Sequence, residues 1–345
     1  MIDVGLIGFG FAGRTFHAPV ISAVEGLRLA AILQRHGPEA GNAYSTARVV
    51  RSLDNLLTID SVQLMVIATP NTSHFELAKQ CLLAGRHLVI DKPFATTLAE
   101  ATELVELAEE KHRLLSVYQN RRWDGDFLTV QKLLGDGTLG RVVLYESHFD
   151  RYRPHLREHA WREQAEPGSG VLFDLGPHLI DQALVLFGIP DSVSGDVRIE
   201  REGARVDDAF DVVLHYPRMR ALLRAGMLVS TPTPRFAIQA TQGGYLKYGL
   251  DPQEDALKRG ETPAGESWGY EVPERWGTLV RAQGDGFVRE QLPTEPGDYR
   301  RYYQNVRDAL LGKAQLAVTP RQALQVMHAL GLAGESSRRG CAVPW

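Results

Sequence analysis

Three side chains able to move or stabilise a proton stand out in the sequence: Lys92, Asp174 and His178. Lys92 follows an apolar run in "LVIDKPF", where we expect a strand to end because proline cannot donate to a sheet ladder. Asp174 and His178 are four residues apart, so they share one face if their segment is helical. An ammonium group can polarise a reacting oxygen, and an imidazole exchanges a proton near neutral pH. A solvated lysine and a structural Asp–His pair are the alternatives.

A glycine-rich turn at residues 8–13 supplies a second chemical feature. "GFGFAG" carries Gly8, Gly10 and Gly13 in the pattern G-x-G-x-x-G, with Phe11 inside it. The turn follows an apolar strand and opens a helix, so its backbone can approach a pyrophosphate at the helix N-terminus. The strands and helices around it favour a dinucleotide site over a plain glycine turn. We therefore predict that all four residues contact the cofactor.

The residues after the second strand predict which dinucleotide binds. NAD sites usually carry an acid there, but this chain reads "LQRHGP" and has no acid before Glu39. Arg35 stands where an acid would repel a 2′-phosphate, and arginine can bind that phosphate through paired hydrogen bonds. A solvated Arg35 is the alternative. We predict NADP as the cofactor, with NAD as the second choice.

Two further strand ends are expected at the same edge of the sheet. "IATPNTSH" ends the third predicted strand and "DKP" the fourth, and ligands of parallel sheets bind in the crevice at their carboxyl ends. Lys92 is therefore expected where a nicotinamide and its substrate meet. His74 has a helix-capping or surface role as its alternative. The residues predicted near the cofactor at this edge are Thr69, Pro70, Asn71, His74, Asp91 and Lys92.

Strands alternate with helices through the first third of the chain. Apolar strands are predicted at 2–7, 27–33, 64–68, 87–90 and 114–117. One helix is predicted near 12–24, a second ends at Gly85, and a third begins at the capping box of Thr97 and Glu100. This alternation predicts an α/β fold with a parallel, doubly wound sheet.

The pattern changes near Arg121. From Val142 the strands are longer and alternate between apolar and polar residues, which suits a sheet with one exposed face. A helix is predicted within "GVLFDLGPHLIDQALVLFG", and 250–298, rich in Gly, Pro and charge, is predicted to form long loops. We predict a dinucleotide-binding domain at 1–121 and a substrate-binding and oligomerisation domain at 122–345.

Composition excludes several classes of protein. The 345 residues are 44% hydrophobic and 23% charged with a net charge of -4, which gives no sign of a nucleic-acid or membrane partner. Two cysteines cannot build a disulfide framework, and the His and Cys spacings show no zinc pattern, so we predict no metal. The N-terminus has no basic region of a signal peptide, and no apolar stretch could cross a bilayer. We expect a cytoplasmic protein.

The motifs together resemble the Gfo/Idh/MocA family of glucose–fructose oxidoreductases and inositol dehydrogenases. G-x-G-x-x-G, "ATPNTSH", "DKPF", "NRRWD" and "DLGPHLID" occur in the order and spacing of that family. "GFAGRTFHAP" and "FDRYRP" resemble its branch of NADP-dependent scyllo-inositol dehydrogenases. The resemblance implies an N-terminal Rossmann domain and a C-terminal α/β domain with a large, open, mostly antiparallel sheet. That sheet commonly forms the interface of a homodimer or homotetramer.

The resemblance also implies roles for individual residues. The family's catalytic lysine falls on Lys92, and its D-x-x-x-H motif falls on Asp174 and His178. The usual motif is Glu-Lys-Pro, so Asp91 puts the support of the lysine in doubt but not the lysine itself. A Trp–Arg pair near the nicotinamide, and two polar positions near the cofactor or substrate, are matched by Trp161, Arg162, Asn120 and Arg122.

Tyr152 and Arg153 end a predicted strand just before the helix of Asp174. They are candidates for lining the substrate pocket together with Lys92, Asp174 and His178. Edge-strand packing and surface charge form the alternative.

These observations predict a hydride transfer between NADP(H) and a cyclic polyol or sugar. His178 would act as general base, Asp174 would orient it, and Lys92 would stabilise charge on the reacting oxygen. One alternative is a nucleotide-binding sensor or regulator without catalysis, although such a protein has no need for all three groups. The other is a dehydrogenase of the same fold that acts on another diol or recycles bound NADP between sugars.

Overall fold

The computed structural model describes residues 1–157 and 163–345, which form two compact units. The first contains 1–120, 253–268 and 298–325, and the second contains 121–252, 269–297 and 326–345. The predicted boundary at residue 121 lies beside the end of the first segment. It leaves out the two later segments that belong to the first unit. A single boundary cannot describe a chain that enters the second unit and then comes back to the first.

The N-terminal unit contains a parallel sheet of six strands in the order β3-β2-β1-β4-β5-β6. This confirms the predicted doubly wound Rossmann sheet. The sequence did not indicate β3, because three residues with one exposed side chain show no clear period. The strands are β1 (Ile2–Ile7), β2 (Leu27–Leu33), β3 (Arg48–Val50), β4 (Val62–Ile67), β5 (His87–Ile90) and β6 (Leu115–Val117).

Ten α-helices are present in the described residues. They are α1 (Ala18–Ser22), α2 (Glu39–Ala43), α3 (Leu53–Leu57), α4 (His74–Leu83), α5 (Leu98–Glu110), α6 (Gly125–Gly135), α7 (Val171–Phe187), α8 (Gln253–Lys258), α9 (Arg300–Leu310) and α10 (Pro320–Arg339). A π-helical turn, Gly13–His17, runs directly into α1. The capping box predicted at Thr97 is confirmed at the start of α5. Within the described ranges no helix has the length and apolar character needed to cross a membrane.

The C-terminal unit is built on a sheet of nine strands in the order β14-β13-β12-β11-β7-β10-β9-β8-β15. Neighbours are antiparallel except β7 and β10, so the mostly antiparallel sheet is confirmed. The strands are β7 (Val142–His148), β8 (Ser192–Arg198), β9 (Ala209–Tyr216), β10 (Met219–Gly226), β11 (Phe236–Ala240), β12 (Gly243–Lys247), β13 (Gly277–Gln283), β14 (Gly286–Leu292) and β15 (Val343–Pro344).

The prediction of long loops over 250–298 is wrong. This segment contains α8 and the hairpin of β13 and β14. Nearly all of β14 and the end of β13 are exposed, so their pairing buries few apolar side chains. A strand held chiefly by its backbone ladder leaves little hydrophobic pattern in the sequence.

Candidate active site

The glycine turn has the shape that a pyrophosphate requires. Gly8 has φ +97°, and a Cβ there would lie 2.7 Å from the carbonyl oxygen of Ala68. A Cβ on Gly13 would lie 2.1 Å from the carbonyl oxygen of Gly8, so packing within the turn requires both glycines. A Cβ on Gly10 would meet nothing within 4 Å. Gly10 thus leaves open space beside the backbone, as a bound dinucleotide would need, and Phe11 is exposed next to it.

Positive charge surrounds the end of β2. Arg35 is exposed there, and Arg51 donates hydrogen bonds to the carbonyl oxygens of Gln34 and Gly37 at 2.7 and 2.9 Å. The pKa of Glu39 is lowered, first by a bond from its own backbone N–H and then by the Gln34 amide, with smaller contributions from Arg14 and Arg51. Gln34 also donates a side-chain hydrogen bond to the Glu39 carboxylate. The end of β2 thus carries exposed arginine side chains beside one engaged carboxylate.

His74 joins the two loops at the ends of β4 and β5. It is 1% exposed, with Nδ1 2.9 Å from the carbonyl oxygen of Pro93 and Nε2 3.0 Å from that of Thr69. Burial lowers the pKa of this histidine, while the charge of Asp91 and the bonds to these carbonyls oppose the shift. Both ring nitrogens already face backbone oxygens. The geometry supports positioning of the loops rather than the predicted direct contact between His74 and the cofactor.

The other residues predicted at this edge differ in exposure. Pro70 is exposed and Thr69 half-buried, as a contact with a ligand requires, and Thr69 Oγ1 accepts a hydrogen bond from Ser73 at 2.7 Å. Asn71 and Asn120 are buried, at 2% and 8% exposure. Contacts between these side chains and a cofactor stay predictions.

Lys92 is half-buried directly after β5, as predicted from the strand end. Its backbone N–H donates to Oδ1 of Asp91 at 2.8 Å, and its peptide bond to Pro93 is cis. The pKa of Asp91 lies below its ordinary value: burial raises it, but His17 and Lys92 lower it by more. Asp91 therefore provides a fixed negative charge beside the lysine.

In the C-terminal unit, Asp174 and His178 lie one turn apart on α7, which confirms the predicted helix. His178 is buried, and its ring meets that of Phe149 edge-on with centroids 6.4 Å apart. Pro177 is accommodated inside the helix. The start of α7 is held by the connection between β8 and β9. In that connection, Oδ2 of Asp207 accepts a hydrogen bond from the N–H of Leu172 at 2.7 Å.

A buried ion pair fixes the middle of α7. Arg122 donates to both carboxylate oxygens of Asp181 at 2.7 and 2.6 Å, and both side chains are almost fully buried. Bidentate pairs of this kind hold a guanidinium in one geometry. The ion pair gives Arg122 a structural role in holding α7, and its predicted position near the cofactor or substrate stays a prediction.

A cavity of about 270 Å³ lies at the end of β7, among residues that the sequence did not single out. Thr233 Oγ1 donates to Asp150 Oδ2 at 2.8 Å, and His148 Nδ1 lies 3.0 Å from the same oxygen. Burial opposes ionisation of Asp150, but His148 and Thr233 outweigh it and lower its pKa. Tyr248 and Thr231 add two hydroxyl groups to the lining.

The cavity neighbours the helix of His178 within this unit. Arg235 lines the cavity, and its guanidinium lies 4.1 Å from the ring of Phe149, whose edge meets His178. The available sequence signal was the pair His148 and Asp150, two residues apart at a strand end and so on one side of it.

Two of the predicted residues, Tyr152 and Arg153, follow β7 in the chain. Tyr152 is 62% exposed and pairs with Leu228, and the N–H of Arg153 donates to the carbonyl oxygen of Met227 at 2.7 Å. This pairing agrees with the edge-strand alternative, and their contact with substrate stays a prediction. Trp161 and Arg162 lie outside the described residues.

Comparison with known proteins decides the family. Residues 2–119 match "Oxidoreductase family, NAD-binding Rossmann fold" of Gfo/Idh/MocA, and residues 131–344 match "Oxidoreductase family, C-terminal alpha/beta domain". The chain belongs to the Gfo/Idh/MocA oxidoreductase family. It is an NAD(P)-binding oxidoreductase of that family.

Individual members of the Gfo/Idh/MocA family match over nearly the whole chain. The uncharacterized oxidoreductase YdgJ of Escherichia coli is 47% identical over 98% of this chain and 96% of its own length. The scyllo-inositol 2-dehydrogenase (NADP(+)) IolW of Bacillus subtilis is 37% identical over 98% and 94%. The structure of the Bacillus subtilis oxidoreductase yvaA superposes with a TM-score of 0.97 at 36% identity, covering 100% of this chain and 98% of that one.

Proposed function

We propose that the protein transfers a hydride between NADP(H) and an uncharged cyclic polyol or sugar. The observation that carries the proposal is the cavity beside the helix of His178. Its Asp150 carboxylate can accept hydrogen bonds from two adjacent hydroxyl groups, and Thr231, Thr233 and Tyr248 can donate or accept. A lowered pKa keeps Asp150 negative, and the Arg235 guanidinium in the same lining is engaged by Ser147 and Gln182, so the carboxylate disfavours a phosphorylated or carboxylated substrate.

The protein groups divide the proton chemistry among them. NADP⁺, when bound, supplies the hydride acceptor. His178 takes the proton of the substrate hydroxyl at a ring nitrogen, and Asp174 orients it and stabilises the imidazolium. The Lys92 ammonium hydrogen-bonds the reacting oxygen and favours its developing negative charge. In the opposite direction the same groups protonate a ketone oxygen.

Preference for NADP is supported by the residues around β2. Arg35 is exposed at the strand end, and Arg14 and Arg51 act on Glu39, so the region is positively charged. The similar protein IolW of Bacillus subtilis is named as an NADP(+) enzyme, which agrees with this direction. A hydrogen bond to a charged group contributes roughly 1.5–3 kcal/mol, enough for a clear preference.

Absorbance of the reduced nicotinamide tests the proposal. Purified protein is mixed with NADP⁺ or NAD⁺ and a panel of inositols, aldoses, sugar phosphates and aldonic acids. We expect turnover with NADP⁺ and an uncharged cyclic polyol, and little with the anionic compounds. Turnover confined to sugar phosphates would contradict the role given to Asp150, and preference for NAD⁺ would contradict that given to Arg35.

A further inference from the structure

His17 is a fully buried histidine that none of the steps above uses. It ends the π-helical turn after the glycine turn and has 0% exposure. The rings of Tyr118 and Tyr303 pack around it, with centroids 4.3 and 6.2 Å from that of His17. Burial removes the imidazole from water, so its nitrogens need specific polar partners to offset the loss of hydration.

Two groups face the two ring nitrogens of His17. The hydroxyl of Tyr303 lies 2.6 Å from Nδ1, and Oδ2 of Asp91 lies 3.8 Å from Nε2. Burial raises the pKa of Tyr303 well above its ordinary value, so its oxygen keeps the proton that it can donate to Nδ1. Nε2 must carry a hydrogen, because a lone pair there would be repelled by the Asp91 carboxylate. One state of the ring, with Nδ1 accepting from Tyr303 and Nε2–H facing Asp91 at a charge-interaction distance rather than a hydrogen-bond distance, suits both neighbours.

Asp91 connects this pair to Lys92. Its Oδ1 accepts the backbone N–H of Lys92 at 2.8 Å while its Oδ2 faces His17, so the two carboxylate oxygens point to two separate segments. Burial alone would raise the pKa of Asp91, and His17 is the first of the groups that reverse this. The titratable groups that interact with Asp91 or enclose His17 are His17, His74, Lys92, Tyr118 and Tyr303.

We propose that Tyr303 and His17 are positioning residues that hold the Asp91 carboxylate ionised and oriented, and through it fix Lys92 for the reaction. This inference rests on the proposed role of Lys92. The connection brings together residues separated by 286 positions, since Tyr303 belongs to a late segment that packs in the first unit.

Removing one hydroxyl tests the connection without disturbing the packing. Tyr303→Phe deletes the partner of His17 Nδ1. Tyr302→Phe is the matched control, because Tyr302 is equally buried on the same helix but donates to Ser116 Oγ at 2.9 Å. Titration of Asp carboxyl carbons by ¹³C NMR, with Asp91 assigned through Asp91→Asn, measures the carboxylate directly. We expect the Asp91 midpoint to rise by roughly half a unit to one unit in Tyr303→Phe and to stay unchanged in Tyr302→Phe.

The pH dependence of hydride transfer tests the consequence for Lys92. With the polyol found active, the ratio of the single-turnover rate of Tyr303→Phe to that of wild type separates Asp91 from His178, because His178 is the same in both proteins. This ratio should fall at acid pH, over the interval by which the Asp91 midpoint has moved. At a pH below both Asp91 midpoints this ratio should reach a loss of about three- to tenfold, while the Kd of NADPH is retained. His17→Gln keeps a donor toward Asp91 and should retain the wild-type profile, whereas His17→Leu should behave like Tyr303→Phe.

An unchanged Asp91 midpoint in Tyr303→Phe overturns the proposal, and so does a shifted midpoint with an unmoved rate profile. If the wild-type protein oxidises no polyol, the proposed function fails. The NMR titration still decides the contact: a shift in Tyr303→Phe alone supports it, and equal behaviour of both tyrosine variants overturns it.

Discussion

At the scale of the residue, the types that carry chemistry were recognisable, but their surroundings were not. Lys92 lies at a strand end as predicted, while His74, predicted beside the cofactor, has both ring nitrogens occupied by backbone oxygens. Asp150 gave only the weak signal of its spacing from His148, and its contact with Thr233, a residue 83 positions away, left no local pattern. The chemistry of a side chain follows from its type, but its availability follows from neighbours that are remote in sequence.

Replacement of Lys92 by alanine should abolish most of the reaction. Loss of a positioned acid–base or charge-stabilising group costs about 10²- to 10⁴-fold in rate. We expect this loss in kcat for Lys92→Ala, with the Kd of NADPH changed less than about twofold. Lys79→Ala is the control, since Lys79 is exposed and paired with Glu103. Wild-type turnover in Lys92→Ala would remove this lysine from the mechanism.

Asp150→Asn should weaken binding of the polyol more than it slows the chemistry. The change keeps the shape but removes the charge that accepts hydroxyl hydrogen bonds. Such bonds contribute roughly 1.5–3 kcal/mol, so we expect the KM of the polyol to rise at least tenfold, to an order of a hundredfold at most. Asp196→Asn is the control, because Asp196 is an exposed carboxylate of the same sheet, paired with Arg198. Steady-state kinetics with saturating NADP⁺ measure KM and kcat for each variant. An equal KM for the polyol in Asp150→Asn and Asp196→Asn contradicts the assignment of the cavity as the substrate site.

At the scale of the element, features formed by neighbouring residues were predicted correctly, whereas short or exposed elements were not predicted. The capping box at Thr97 and the glycine turn are each formed by a few consecutive residues, so the sequence shows both of them directly. The hairpin of β13 and β14 is exposed and leaves no apolar period. The cap of α7 was also invisible, because Asp207 lies 35 positions from the N–H that it accepts.

The cap of α7 should make stability depend on pH. Burial raises the pKa of Asp207 from 3.8 to about 6, against the opposing bonds from Leu172 and Val171. A raised folded-state pKa contributes stability that is complete below the unfolded value and is lost as the pH rises through about 6. Asp207→Asn keeps an acceptor but does not titrate. The free energy of unfolding of wild type relative to Asp207→Asn should therefore fall by roughly 2–3 kcal/mol between about pH 4 and pH 7.

Urea unfolding of the two proteins at a series of pH values measures this difference. Asp255→Asn serves as control, because that side chain is 73% exposed and should give a curve parallel to wild type. Parallel curves for Asp207→Asn as well would show that Asp207 titrates normally in the folded protein.

At the scale of the whole molecule, the open face of the large sheet is the proposed contact between subunits. One face of this sheet packs on α7. On β9 and β10, every second residue points to the opposite face, and some of these residues are apolar and half-buried. Val213 and Leu222 are direct neighbours in the ladder of β9 and β10, and Ala237 and Leu246 in that of β11 and β12. Glu146 of β7 lies between the two pairs, as the ladder neighbour of both Leu222 and Ala237, so the face is apolar on either side of one carboxylate. A largely apolar sheet face of this kind is typical of a surface that another chain covers.

Leu222→Asp should convert a dimer or tetramer to the single chain. A carboxylate placed beside Glu146 in this interface is buried without a partner and next to a like charge, which costs several kcal/mol. Light scattering after gel filtration should show a multiple of 38.3 kDa for wild type and 38.3 kDa for the variant. Leu83→Asp is the control, since Leu83 is 56% exposed on α4 of the other unit. A wild-type mass of 38.3 kDa would dismiss the predicted oligomer.

The sequence by itself determined the fold class, the glycine turn and the identity of Lys92, Asp174 and His178 as chemical groups. These depend on period, turn chemistry and spacing along a few residues, which the chain carries locally. Only the tertiary structure decided that the segments 253–268 and 298–325 return to the first unit, and that Tyr303 meets His17. It also decided that Thr233 meets Asp150 and that Asp207 caps α7. Such contacts arise from packing between distant segments, and no local pattern records which distant partner a buried polar group will find.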